Sequence, residues 1–284
     1  SVLSAIAPAL VRAFGLSVPI LAIIGPSSIG KTTLQQVGRS PVERAEKIDD
    51  ASGTINGLRV KMEQHPDMSV FFQDIHKNED VEGLMSLIFL VGNGGQRFTS
   101  TANQKVQAGA ELSCGLSLSS ELLFMEMVGN TKSNLPEGFS ARCFEMVLQG
   151  PYGAFHTLPK GVAAHDFANQ LKRACGEHYG AVWAAWIPAI AKNADKIRVW
   201  LPKAVQEAEA ALLDGFEIKD SVTLRLVSGL AVWLVAGNLA IKLKVLKLKP
   251  SAVTEALRLV LREHLSRQAH RTTPIGEKVI STVR

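Results

Sequence analysis

The chain has little of what disulfide scaffolds, zinc proteins or nucleophile-based hydrolases need. Its three cysteines, Cys114, Cys143 and Cys175, have neither CxxC nor metal-ligand spacing. That excludes a disulfide framework and predicts reduced core residues of a cytoplasmic protein. The seven histidines are scattered and offer no metal site. No Ser/His/Asp or Cys/His nucleophile arrangement is visible. Charge of one sign is also scarce: a net +5 permits a nucleic-acid partner without requiring one. No signal peptide is evident. The most apolar run, residues 226–241, is interrupted by Gly237 and Asn238. It falls short of the roughly 20 residues that span a bilayer, so a buried helix and no membrane are expected.

What is present is a globular composition, 46% hydrophobic and 20% charged. The 284 residues suffice for one large or two ordinary domains. The chain does not begin with Met and opens inside a helical pattern, which suggests a piece of a longer protein.

One stretch organises the rest. Gly25-Pro26-Ser27-Ser28-Ile29-Gly30-Lys31-Thr32-Thr33 fits G-x-x-x-x-G-K-[ST], the phosphate-binding P-loop. An apolar run of strand length, residues 20–24, precedes it, and a Pro-free helical opening follows. Gly25 and Gly30 are expected to adopt angles that a Cβ would forbid. The loop N–H groups then form an anion nest, sharpened by the helix N-terminus. Lys31 would reach the β- and γ-phosphates of ATP, and the Thr32 hydroxyl would ligate Mg²⁺.

The other segments follow in order. Residues 3–14 read as one helix, with Pro8 a point of kinking and Gly15 ending it. Residues 55–64 are helical. The strand 69–75 ends in Gln73-Asp74, an apolar strand closing on an acid as in a Walker B motif; the plain alternative is a turn aspartate. Residues 81–91 carry a helical apolar face through Leu84, Leu87, Ile88 and Val91. Residues 97–110 read as two short polar strands turning at 102–104. A strand at 113–118 runs into Ser119-Ser120-Glu121, a helix covers 122–128, and a strand covers 143–148. Beyond Tyr152 strands vanish. Helices are expected at 165–175, 181–192 (kinked at Pro188), 204–213, 224–243 and 252–266. The predicted organisation is a core at 1–150, a helical lid at 151–270, and a linker at 271–284 toward a missing C-terminal region.

This order of strand, P-loop, Walker B strand, polar hairpin, strand and Arg-led strand resembles an AAA+ type ATPase of the superfamily 3 helicase style. More specifically, it is similar to the domain-of-unknown-function family carried by replicative helicases and primase-helicases of mobile elements and phages. The resemblance rests on residues 25–33, 54–58, 69–75, 92–97, 118–121, 140–147 and His178-Tyr179-Gly180. It implies an α/β P-loop NTPase core of AAA+ type with a central parallel sheet and an all-helical C-terminal lid. It also implies a homo-oligomeric ring, often a hexamer, that hydrolyses ATP with Mg²⁺ and moves along DNA. Asp74 would then hold the Mg²⁺ shell with Thr32. Ser119, or its neighbour Ser120, would be the polar sensor of the γ-phosphate. Arg142 would act as an arginine finger on the next subunit; the plain alternative is a surface Arg at a strand edge. Arg97 and Lys105 on the hairpin are candidate DNA-phosphate contacts, or a solvated turn.

The family pair at the strand end is Asp-Glu, whereas this chain has Gln73-Asp74. Either Asp74 holds the metal and no catalytic Glu follows, or Asp74 stands in the place of that Glu. ATP binding should survive, while fast hydrolysis is in doubt. The expected function is therefore a replicative DNA helicase motor. The alternative is an ATP-binding, weakly hydrolysing ring protein for assembly or remodelling.

Overall fold

The computed structural model describes residues 1–46, 48–93, 96–100, 106–129 and 137–272. Its centre is a five-stranded sheet in the order β2 (Asp49–Asp50), β3 (Ser69–Gln73), β6 (Gly115–Ser120), β1 (Ile20–Ile24), β7 (Cys143–Val147). All neighbouring pairs are parallel. A separate antiparallel pair, β4 (Gln96–Ser100) and β5 (Val106–Glu111), forms the expected hairpin. Its turn at 101–105, which includes Lys105, lies outside the described residues.

Strand β1 is buried along its whole length, as its unbroken Ile-Leu-Ala-Ile-Ile run demands of a strand covered on both faces. Successive side chains alternate between two cores. Ile20, Ala22 and Ile24 join Leu58 and Met62 of α4 (Ile55–Glu63), Leu84, Leu87 and Ile88 of α5 (Val81–Gly92), and Phe124 and Met127 of α6 (Phe124–Gly129). Leu21, Ile23 and Phe144 join the opposite layer. That layer includes α1 (Val2–Ile6), α2 (Pro8–Phe14), α8 (Ala181–Lys192), α9 (Ala194–Leu213), α10 (Ser221–Lys242) and α11 (Pro250–Thr272). Helices thus cover both faces of the sheet. The two remaining helices, α3 (Lys31–Arg39) and α7 (Ala164–Glu177), bear on the functional cleft.

The N-terminal helical stretch is interrupted beside the expected kink point at Pro8, with Ala7 keeping helical angles (φ −64°, ψ −33°). Pro8 takes the first turn of α2, and Gly15 closes that helix at φ 67°. The indole N–H of buried Trp186 donates to the Ile6 carbonyl at 3.0 Å. It satisfies one of the carbonyls that the end of α1 leaves unpaired.

α10 is the one helix among the described residues long and apolar enough to cross a membrane. Leu226, Leu230, Trp233, Leu234 and Leu239 are all buried in the core. Each such side chain contributes about 1.5–3 kcal/mol by leaving water, so packing alone accounts for the composition.

α9 begins at Ala194 rather than near residue 204, because the helix runs through Pro202. β2 is only two residues long and wholly acidic, so no hydrophobic period announces it. Strand pairing in the main sheet ends with β7, just before the boundary expected near Tyr152. The helices beyond share one continuous core with the β1–β7 face.

Candidate functional site

In a parallel sheet the loops leaving the strands gather at the carboxyl edge, where ligands bind. Here the loop of 25–30 leaves β1 and enters α3. The α3 N-terminus presents unpaired N–H groups to this edge. Gly30 has φ 102°, and a Cβ there would come within 2.9 Å of the Ala154 Cβ. The left-handed angle expected at Gly25 is not found. Ser28 carries it instead, at φ 63°. At Gly25 a Cβ would meet the Ile29 Cγ2 at 3.1 Å, a tight contact that Ile29 would have to yield to. The Gly25 N–H donates to the Ser120 carbonyl at 3.1 Å, tying the loop to the end of β6. Left-handed turns at 28 and 30 are the backbone geometry from which anion-binding concavities of amides are built.

Lys31 is buried to 6% exposure, and its ammonium donates to the carbonyls of Gly25 and Pro26 at 2.7 and 2.8 Å. Burial lowers its pKa from the ordinary lysine value. The negative charges of Glu121 and then Asp74 act against that shift, and Lys77 adds to it. A desolvated ammonium held by loop carbonyls at the helix N-terminus is suited to a phosphate.

Asp74 lies just past the end of β3 at φ 55°, a left-handed angle that Asp tolerates. Its carboxylate accepts from Lys77 at 2.7 Å. That hydrogen bond, then the charge of Asp74, raises the Lys77 pKa. Its backbone N–H points at the hydroxyl of Ser119, 3.4 Å away. Ser119 is buried and stands behind the cleft wall, joining the ends of β3 and β6. Ser120 is turned elsewhere: its hydroxyl accepts from the Leu122 N–H at 3.0 Å and lies near the Met127 sulfur.

A cleft of about 480 Å³ opens at this edge. Its floor is the loop from Ser27 through Thr33, and Asp74, Lys77 and Glu121 form one wall. Tyr152, Phe155, His165, Asn169 and Lys172 form the other. Three of those come from α7. The residues fit a magnesium nucleotide. Thr32 offers a hydroxyl and Asp74 a carboxylate, the hard oxygen donors that Mg²⁺ takes alongside substrate phosphates. Among the described residues no group of three or more His, Cys, Asp or Glu could hold a metal alone. The cation would thus depend on the phosphates it accompanies.

Residues 150–155, which mark only a boundary in the sequence, brace the loop. The Ala154 N–H donates to the Ile29 carbonyl at 2.8 Å. Gly153 stands at φ 68°, where a Cβ would lie 2.5 Å from that same carbonyl oxygen. The Gly150-Pro151-Tyr152-Gly153 string was the available signal, since such strings mark tight turns. Lys77, Glu121 and Lys172 were also missed as cleft residues. Nothing local distinguishes them from solvated surface charges.

Arg142 lies at the other edge of the sheet. Its carbonyl accepts from the Ile20 N–H at 2.7 Å, level with the start of β1. The P-loop begins at the far end of that strand, roughly 16 Å away at ~3.3 Å per residue. The Arg142 guanidinium donates to Asn93 Oδ1 at 2.6 Å and the Gly138 carbonyl at 2.7 Å, and stacks 4.9 Å from the Phe89 ring. Arg97, on β4, belongs to the hairpin between α5 and β6, and so to this same edge.

Residues 1–111 match a family described as Domain of unknown function (DUF927). No curated protein matches the chain. Among solved structures, one described as "SCCmec type IV Cch - active helicase" shares the fold, with a TM-score of 0.64 over 93% of this chain at 15% identity. The chain spans 47% of that helicase's length. At that identity the likeness is one of fold alone.

Proposed function

We propose that this chain is the motor part of an ATP-dependent DNA helicase of a mobile element. The observation that carries the proposal is the cleft, in which Lys31, Thr32 and Asp74 converge at the mouth of an anion-binding loop. Lys31 and the loop amides would hold the β- and γ-phosphates, and Thr32 and Asp74 the Mg²⁺. The cation would supply charge neutralisation. Ser119 would orient the Asp74 backbone. The AAA+ superfamily 3 assignment is supported by β6 standing between the P-loop strand and the acidic strand. Helix α7, which lines the cleft, suits a lid. The helicase assignment draws on the similar fold and on DUF927. A cytoplasmic site accords with the three free cysteines.

In this reading the chain works as a homo-oligomeric ring, with six copies the expected number. Arg142 lies on the edge away from its own cleft, so it would meet a nucleotide only on a neighbouring copy. Such a charge contributes mainly in the transition state. Arg97 and Lys105 would contact DNA phosphates from the hairpin.

The decisive experiment is ATP turnover with and without single-stranded DNA. Turnover stimulated by DNA is the expected result. A second reading, an ATP-gated assembly protein that hydrolyses little, is favoured by the neutral Gln73. Tight binding without turnover would select it.

A further inference from the structure

The β3 end presents one carboxylate where an Asp-Glu pair would present two, and that carboxylate is engaged. Asp74 Oδ2 is 2.7 Å from the Lys77 ammonium. A second acid reaches the same cleft from the neighbouring strand. Glu121 directly follows Ser120, the last residue of β6, and Ser120 is the register partner of Ile24, where β1 gives way to the P-loop. The Ser120 carbonyl holds the Gly25 N–H at 3.1 Å, so Glu121 starts one residue from a fixed point of the loop. Its own N–H donates to Nδ1 of His76 at 3.2 Å, which ties it to the segment after β3. The side chain lines the cleft with Lys31, Thr32 and Asp74, and is solvent-exposed. Among the described residues its carboxylate has no hydrogen bond or ion pair.

We propose that Glu121 is the general base for ATP hydrolysis, taking from β6 the role that Gln73-Asp74 leaves unfilled on β3. The proposal rests on the ATPase reading of the cleft. Asp74 then keeps its place beside the cation. The Glu121 carboxylate accepts a proton from water as the water oxygen bonds to the γ-phosphorus. The bridging Pγ–O bond breaks, and its electron pair leaves on the β-phosphate of ADP. The proton passes from Glu121 to solvent, leaving ADP and inorganic phosphate. The field of Glu121 on Lys31, larger than that of Asp74, agrees with its standing close to the phosphate-binding ammonium. A base that is unpaired and in contact with solvent can lose its proton again after each turnover.

The test uses the full chain, the isosteric Glu121→Gln variant and the shortened Glu121→Asp. Three quantities are measured: affinity for a fluorescent ATP analogue with Mg²⁺, single-turnover hydrolysis, and the nucleotide recovered from the bound complex after quenching. Glu121→Gln is expected to keep analogue affinity within about threefold and to lose hydrolysis by about 10²-fold or more. The nucleotide recovered from it should be ATP where the parent chain yields ADP. Glu121→Asp should fall between the two.

Hydrolysis by Glu121→Gln at the parent rate would overturn the assignment. So would a parent chain that binds MgATP without turning it over, since the base would then be ineffective. Loss of analogue binding in Glu121→Gln would make the residue a binding group and equally overturn its role as a base. Failure of the parent chain itself to bind the analogue would instead remove the nucleotide-cleft reading on which the proposal stands.

Discussion

Lys77 Nζ sits 2.7 Å from Asp74 Oδ2, so the acid that would serve the cation already shares its charge with a lysine three residues on. The contact forms because Asp74 turns left-handed at φ 55° and opens a short 3₁₀ turn, Ile75–Lys77. Lys77 is more than half exposed, which makes the pair weak and exchangeable.

Removing that partner should free Asp74 for the metal. Lys77→Ala is expected to lower the Mg²⁺ concentration needed for half-maximal ATP binding by about two- to fivefold. Titration of Mg²⁺ at fixed nucleotide reads the effect. A weaker affinity for ATP at saturating Mg²⁺ would make Lys77 a phosphate ligand instead.

Lys31→Ala should abolish ATP binding, because the phosphate charge then loses the buried ammonium at the loop. Calorimetric titration checks it, with thermal unfolding as the control for folding. Unchanged affinity would remove the P-loop assignment.

Arg142→Ala should have two separable effects. Loss of its bonds to Asn93 and Gly138 and its contact with Phe89 should cost about 1–2 kcal/mol, seen as a fall of a few degrees in Tm. Turnover should fall further than that, while ATP binding stays. Mixing Arg142→Ala with Lys31→Ala subunits should then recover part of the turnover, since some interfaces pair an intact cleft with an intact arginine. A mixture that assembles yet stays inactive would reduce Arg142 to the latch between α5 and β7 that its contacts already make.

Double substitution of Arg97 and Lys105 to Ala should weaken DNA binding of every sequence alike. The slope of log affinity against log salt should flatten by about one to two units, roughly 0.7–0.9 per lost phosphate contact. A loss that depends on sequence would put the DNA path elsewhere.

Burial pushes the Cys114 thiol up to about 12, and burial and then Glu145 hold Cys143 well above the ordinary thiol value. A raised pKa leaves almost no thiolate at pH 8, and the thiolate is the reactive form. Both cysteines should resist a thiol reagent in the folded chain and react promptly in denaturant. Mass spectrometry of the labelled peptides reads this, and fast labelling of the native chain would contradict their burial.

The local pattern carried the elements whose signal is continuous along the chain. The Ile20–Ile24 run, the glycine and lysine spacing of 25–31, and the Leu84-Leu87-Ile88-Val91 face each announce themselves within a few residues, because burial imposes a period or a spacing there. The acid at 74 was legible as the end of a strand. By contrast, no local pattern marks Glu121, Lys77 and Lys172 as lining one cleft. They lie on three elements far apart in the chain and have the ordinary look of surface charges.

By itself the sequence determined that a loop of P-loop spacing joins β1 to α3. The constraint there is local: Gly30 must turn left-handed and Lys31 must follow it. Which groups surround that loop was decided only by the tertiary structure. Strand order sets β6 between β1 and β3, and so brings Glu121 to the cleft and Ser119 behind Asp74. The same parallel order sends Arg142 to the opposite edge. Residue spacing cannot encode these outcomes, because the pairing of strands depends on burying both faces of the sheet at once.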